Sequence, residues 1–396
     1  MTSFDTIRER FATRGKQSGL VGVLALILCV ILGGVHAGWE QFFHSYLFAY
    51  VFWVSIPLGC AAILMMHHMT SGWWGFPIRR ILEAGSRTLY VMALLFIPVC
   101  IGLPHIYAWA RSTWVQDSIL RYKHPYLNMP DFIIRAIIYF AVWLVFVYFL
   151  NRWSREQDAT GDLRLKVKME RLSAPGLVAW AFVVTFASVD WVMSLEAHWF
   201  STIYGMIFIV VDALAGLSFA ICCLRRFWDV EPINGSIEAR QFNDLGNLML
   251  TFTLLWAYLS FDQFLIIWSG NLKDEITWYT QRVYGPWGPV AVALLLLHFF
   301  VPFFCLLQRP FKRRLPLLAG LAAWMILMTL LDVYWLVVPA YKTVHPRFYL
   351  TDALAIIGIG GVWFSLFARE LCRMPILPLH DPRFVGARAL GHQHGD

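Results

Sequence analysis

The chain has 396 residues, 59% of them hydrophobic and 14% charged, with a mean hydropathy of +0.60. Soluble globular proteins are about half apolar and a quarter charged, so a soluble enzyme, a disordered protein and a coiled coil are excluded. The net charge of +7 does not signal nucleic-acid binding, because the basic residues sit in the short segments between apolar runs.

Those runs are continuous rather than alternating and too long for barrel strands, so they predict helices. The expected spans are residues 19–35, 46–69, 88–110, 132–151, 176–195, 202–224, 245–268, 286–308, 316–338 and 353–371. The fold class is therefore all-α: a polytopic membrane protein with ten transmembrane helices. The 19 Trp and 31 Phe suit interfacial aromatic belts. The first span follows a basic segment (Arg8, Arg10, Arg14, Lys16) and ends near Val35-His36-Ala37, which has the look of a cleavage site. Its apolar stretch is longer than a signal-peptide core, so it reads as a retained helix.

Lys and Arg alternate between the two sides. The segments on the side of the N-terminus carry 24 of them and the opposite segments seven, which predicts both termini in the cytoplasm. Residues 1–18 then form a cytoplasmic N-terminal segment, 19–372 the membrane domain and 373–396 a cytoplasmic tail. The second span starts with Glu40-x-x-x-His44 and has Tyr50 six residues on; the sixth starts with Glu196-x-His198 and has Tyr204 six residues on. This faint repeat suggests two four-helix bundles, spans two to five (about 46–195) and six to nine (about 202–338), flanked by spans one and ten.

Seven cysteines (29, 60, 100, 222, 223, 305 and 372) lie in or beside apolar runs and form no C-x-x-C, so they read as small core residues. His67 and His68 read as interfacial polar residues, since no two-helix, four-histidine pattern for haem exists. Charged groups inside a bilayer are costly and usually face a cavity or a partner. The spans hold Asp190, Asp212, Asp262, Asp332, His298, Arg135 and His105. Arg135 either pairs with Asp190 or snorkels outward. Asp244, Asn247, Thr251, Tyr258 and Asp262 follow one another at steps of 3, 4, 7 and 4, which places them on one helix face. With Asp212, His298 and Asp332 on neighbouring helices they are the candidate proton pathway; the alternative is a hydrogen-bonded seam that glues helices together. His36, His105 and Asp190 reach a similar depth near the outer side, either as an interfacial polar cluster or as the candidate quinone site that the resemblance described next implies. No catalytic residue and no metal ligand stands out.

Several strings are distinctive together: Tyr46–Trp53 (YLFAYVFW), Met66–Trp73 (MHHMTSGW), Ala187–Glu196 (ASVDWVMSLE), His198–Gly205 (HWFSTIYG), Gln263–Asn271 (QFLIIWSGN) and His380–Arg383 (HDPR). They resemble the ActF family of membrane subunits of bacterial alternative complex III, relatives of NrfD and PsrC, over nearly the whole chain. The resemblance implies a subunit of a quinol:electron-acceptor oxidoreductase in the bacterial inner membrane. It implies partners: an ActC-like membrane subunit associated with the quinol site, an iron–sulfur subunit and c-type cytochrome subunits. Haem c and iron–sulfur clusters would then belong to the partners, with quinone the one cofactor this chain could hold and a proton-pathway role open. An autonomous ion-coupled transporter is the competing class; its matched broken helices are missing, since Pro57, Pro98, Pro104 and Pro302 do not pair between halves. The charge asymmetry makes a first prediction: a reporter fused after residue 372 is active only when it requires the side that holds the N-terminus, and activity on the opposite side would overturn the topology.

Overall fold

The computed structural model describes residues 3–228, 237–341 and 345–375. Ten of its helices are long and apolar enough to cross a membrane: α1 (Arg8–Ala37), α2 (Trp39–Thr70), α3 (Trp73–Ile101), α4 (Met129–Thr160), α5 (Leu163–Glu196), α6 (Tyr204–Phe227), α7 (Ala239–Gly270), α8 (Gly285–Leu307), α9 (Leu315–Tyr341) and α10 (Leu350–Cys372). There is no strand among the described residues. The chain is a multi-pass membrane protein, with ten membrane-length helices among the described residues. Lys342 and the tail string His380–Arg383 fall outside the described residues.

Several helices run beyond the apolar runs that announced them. Hydropathy stops at the first charges, but the backbone keeps its hydrogen bonds into the aqueous layer. Thus α4 continues to Thr160 and α5 begins at Leu163. The turn between them uses Gly161 in the left-handed region (φ 69°), and Asp162 caps α5 by accepting the Arg164 amide at 2.8 Å. Two buried arginines close the same end. Arg79 and Arg80 both bond Glu83, at 2.9 and 2.7 Å, and Arg80 also bonds Asp158 of α4. These two arginines are therefore fully engaged inside the protein rather than being loop charges. By contrast α3 is segmented, with breaks around Phe96 and Gly102 where Pro98 and Pro104 remove amide donors.

Helices α2 to α5 pack as one ring and α6 to α9 as another; α1 and α10 lie together along α2 and α3. This is the expected pair of four-helix bundles with two flanking helices. The Arg8 guanidinium bonds the Cys372 carbonyl, so the start of α1 and the end of α10 share one face, here called the basic face. Two Glu–Arg pairs lie at the opposite, far face, one within the first bundle and one between the bundles. Glu40 of α2 meets Arg111 from the α3–α4 connection at 3.1 Å, and Glu196 at the end of α5 meets Arg282 from the α7–α8 connection at 2.7 Å.

The bundles join where α2 crosses α6. A Cβ on Gly59 would sit 1.7 Å from the Asp212 carbonyl oxygen, and one on Gly216 would sit 2.4 Å from the Cys60 amide nitrogen. Only hydrogen at both positions lets the two backbones touch. Gly59→Ala should therefore cost about 1–3 kcal/mol by forcing the helices apart. Gly320→Ala, in open space on α9, should be neutral or stabilising by up to about 1 kcal/mol. Thermal unfolding of the two variants in detergent checks this; equal behaviour would show that the crossing does not limit stability.

Candidate functional site

The far half of the second bundle holds a cleft of about 540 Å³ between α7, α8 and α9. Its walls are mostly aromatic and aliphatic: Trp256, Phe261 and Phe264 from α7, Phe299 and Phe300 from α8, Trp335 from α9. One carboxyl, that of Asp332, lies on the wall. The Trp256 indole donates to its Oδ2 at 3.0 Å, and Oδ1 has no hydrogen-bond partner among the described residues. Behind the wall, the His298 ring stacks on Trp256 at 4.1 Å between centroids. His298 is fully buried, and neither ring nitrogen has a hydrogen-bond partner among the described residues.

Local backbone explains the placement. Residues Leu294–Phe300 form a π-helical segment within α8. A π turn holds one extra residue and misaligns carbonyls, and such segments recur at functional sites. Trp324 of α9 donates to the Leu297 carbonyl at 2.9 Å, which satisfies one of those displaced acceptors. The far end of the cleft is closed by polar contacts. Ser201 donates to Gln263 Oε1 at 2.9 Å and Gln263 Nε2 donates to the Tyr279 hydroxyl at 3.2 Å. Arg282, fully buried, packs its guanidinium on the Trp278 ring at 3.9 Å and donates to the Trp335 carbonyl as well as to Glu196. In chemical terms this is an apolar cleft lined by one carboxyl and an amide–phenol pair.

The sequence-nominated residues are distributed differently from expectation. Asp332 and His298 do come together, bridged by Trp256. Asp212 lies apart, in a cavity of about 20 Å³ at the seam of α2, α5 and α6, with no hydrogen bond or ion pair among the described residues. The α7 ladder requires a correction. Asn247, Thr251 and Tyr258 are exposed and Asp244 and Asp262 half-buried, all on the outer side of the bundle. The inward face of α7 is instead Leu245, Met249, Thr253, Trp256, Gln263 and Ile267. Asn247 accepts from Lys312 at 2.6 Å and Thr251 bonds back to the Asn247 carbonyl. The ladder therefore does not run through the bundle or meet Asp212, His298 or Asp332.

His36, His105 and Asp190 are also not one site. Asp190 is fully buried and bound by Arg135 at 2.8 and 3.0 Å and by the Tyr139 hydroxyl at 2.7 Å. Arg135 thus pairs rather than snorkels. His105 stacks on Phe43 at 5.3 Å, and His36 is exposed at the end of α1. No hydrogen bond, ion pair or ring contact joins any two of the three. His67 and His68 are buried at the basic end of α2, with His67 edge-on to Trp74. No group of three or more His, Cys, Asp or Glu able to hold a metal ion occurs among the described residues.

Sequence reasoning missed Trp256, Gln263, Tyr279 and Trp335, because uncharged residues in an apolar helix carry no signal of a cleft. Glu196 appears in the repeat, but nothing in the sequence pairs it with Arg282. No protein-family model matches the chain, and no curated protein sequence is similar to it. One prediction follows from the unpartnered imidazole. Replacing a buried polar group that makes no hydrogen bond by an apolar one of similar shape is nearly neutral or stabilising. His298→Phe should keep or raise the thermal midpoint; a loss of more than about 1–3 kcal/mol, the cost of leaving polar groups unsatisfied, would show that the imidazole has a bonded partner in the membrane.

Proposed function

We propose that the chain is a membrane subunit of a quinol:electron-acceptor oxidoreductase complex of the alternative complex III kind, housed in a bacterial cytoplasmic membrane with both termini inside. In this reading it does no catalysis alone, and an iron–sulfur subunit, c-type cytochromes and an ActC-like membrane subunit are its partners. The observation that carries the reading is the outer face of α7. Tyr258 is 63% exposed and has no hydrogen-bond partner among the described residues, and neither has Asp262. Asp262 lies eight residues inside the end of α7, about 12 Å at 1.5 Å per residue. A carboxyl and a phenol at that depth are costly against lipid, and polar groups in such positions face a cavity or hydrogen-bond to another helix. A second membrane subunit is what covers them.

The strings that resemble the ActF family support the same reading by where they lie. Ala187–Glu196 contains both the Asp190 of the buried ion pair and the Glu196 that holds Arg282. Gln263–Asn271 begins at the end wall of the cleft. Proton handling, within this reading, rests on the enclosed Asp212, Asp332 and His298, and the outward stripe of α7 serves assembly. The test is purification of the tagged chain from its native membrane. The unaltered chain should bring haem-staining cytochromes and an iron–sulfur protein with it. A double variant, Tyr258→Leu with Asp262→Leu, should remain folded and lose those partners. Isolation of the native chain without any redox protein would overturn the reading; an intact complex around the double variant would remove α7 as the interface.

A further inference from the structure

We propose that a pocket on the far face of the first bundle holds the phosphate head of an anionic phospholipid, with an acyl chain running down α5. The pocket has a volume of about 390 Å³, the size of a small-molecule site. Tyr122, Lys123 and Tyr126 of the α3–α4 connection form one side; Val189 and Met193 of α5, with Trp199 beyond its end, form the other. Contacts between these two segments hold it open. Asp117 caps the short helix Ser118–Lys123 by accepting the Ile119 and Leu120 amides, and its other oxygen meets His198 at 2.7 Å. Trp109 donates to the Ser194 hydroxyl at 3.2 Å, and the Lys123 amine donates to the Ala197 carbonyl at 2.6 Å.

The donors in this pocket lack an acceptor of opposite charge. The Lys123 ammonium has three hydrogens, of which the Ala197 carbonyl takes one. No carboxylate pairs with Lys123 among the described residues, and the lining contains no Asp or Glu. Burial lowers the Lys123 pKa from its ordinary value, as expected of a half-buried cation without a counter-charge. Trp199 is 4% exposed and its indole N–H has no acceptor among the described residues. A buried donor left unsatisfied is costly, and an anionic oxygen in the pocket serves both groups. What lies below the pocket makes that anion a lipid. Phe182, Phe186, Val189 and Met193 follow one another on α5 at steps of 4, 3 and 4, which is one helix face. Phe182 and Phe186 are 63% and 48% exposed, so the face continues as an open apolar stripe over about 16 Å at 1.5 Å per residue. Tyr and Trp around a cation mark the headgroup level. A soluble anion makes no use of the stripe, and a zwitterionic head brings its own cation against Lys123.

The experiment uses the full chain in phosphatidylcholine nanodiscs doped with a trace of phosphatidylglycerol or phosphatidylcholine that carries a diazirine on one acyl chain. After illumination, label on α5 residues 182–193 is read by peptide mass spectrometry. Phosphatidylglycerol should label this segment about tenfold more than phosphatidylcholine does, the scale of one charge-assisted hydrogen bond. Lys123→Gln should remove that preference. Arg121→Gln, which takes the same charge from the same short helix outside the pocket lining, should leave it intact. Glycerol 3-phosphate, which has the head without the chain, should not displace the label. Equal labelling by the two lipids, label confined to other helices, a preference that survives Lys123→Gln, equal loss in both variants, or displacement by glycerol 3-phosphate would each overturn the assignment. The labelling of the unaltered chain decides the question even if Lys123→Gln fails to fold.

Discussion

The contact on which the molecule depends is the crossing of α2 and α6 at Gly59 and Gly216. Lipid gives helices no hydrophobic reason to associate, so association rests on close packing and on hydrogen bonds. At this point two backbones meet with no side chain between them, and the two bundles become one body. Both helices are buried along most of their length, with neighbours from each bundle around them. The remaining helices are arranged about this axis, and the polar residue that the crossing brings along, Asp212, is enclosed at the seam.

Away from the seam, each bundle holds an aspartate in the far half of its last helix and treats it differently. In the first bundle Asp190 is fully buried and bound by a guanidinium and a phenol. A buried charge pair of this kind is costly to break by removing one partner, about 3–5 kcal/mol, so it locks α4 to α5. In the second bundle Asp332 has a single neutral indole donor, and the space beyond it is open. Of the far-face Glu–Arg pairs, Glu40–Arg111 ties the α3–α4 connection back to its own bundle, and Glu196–Arg282 ties the α7–α8 connection of the second bundle to α5 of the first. One half of the molecule is thus built as a closed support and the other as a half that keeps an accessible wall, from similar parts.

How much of this was legible follows from what periodicity can and cannot say. The number of spans, their alternation and the bundle pairing were all readable, because apolar length and loop charge report directly on crossing a membrane. The buried acids were readable because charge is rare at depth. The direction of α7 was not. Its polar ladder runs at steps of 3, 4, 7 and 4, while its buried stripe from Leu245 to Ile267 runs at 4, 4, 3, 7 and 4. Both are good helical faces, and in a membrane the inward face is not obliged to be the more polar one. Nor could the chain announce that Arg79, Arg80 and Arg282 turn inward, since basic residues at the ends of spans usually stay in water. The π segment is invisible for a different reason: LLLLHFF is as good an α-helix as any other apolar run, and only the fit against Trp256 and Trp324 selects the wider turn.

That wider turn makes α8 a helix with two phases. A π segment holds one residue more than the same stretch of α-helix would, and one residue corresponds to a rotation of about 100°. Everything from Val301 onward, including Leu306 against the core, is therefore set at an angle that the first half of the helix alone would not give. Loss or gain of a single residue within Leu294–Phe300 would rephase the two halves against each other without changing the composition of either. The span is thus far more sensitive to its count of residues than to their identity.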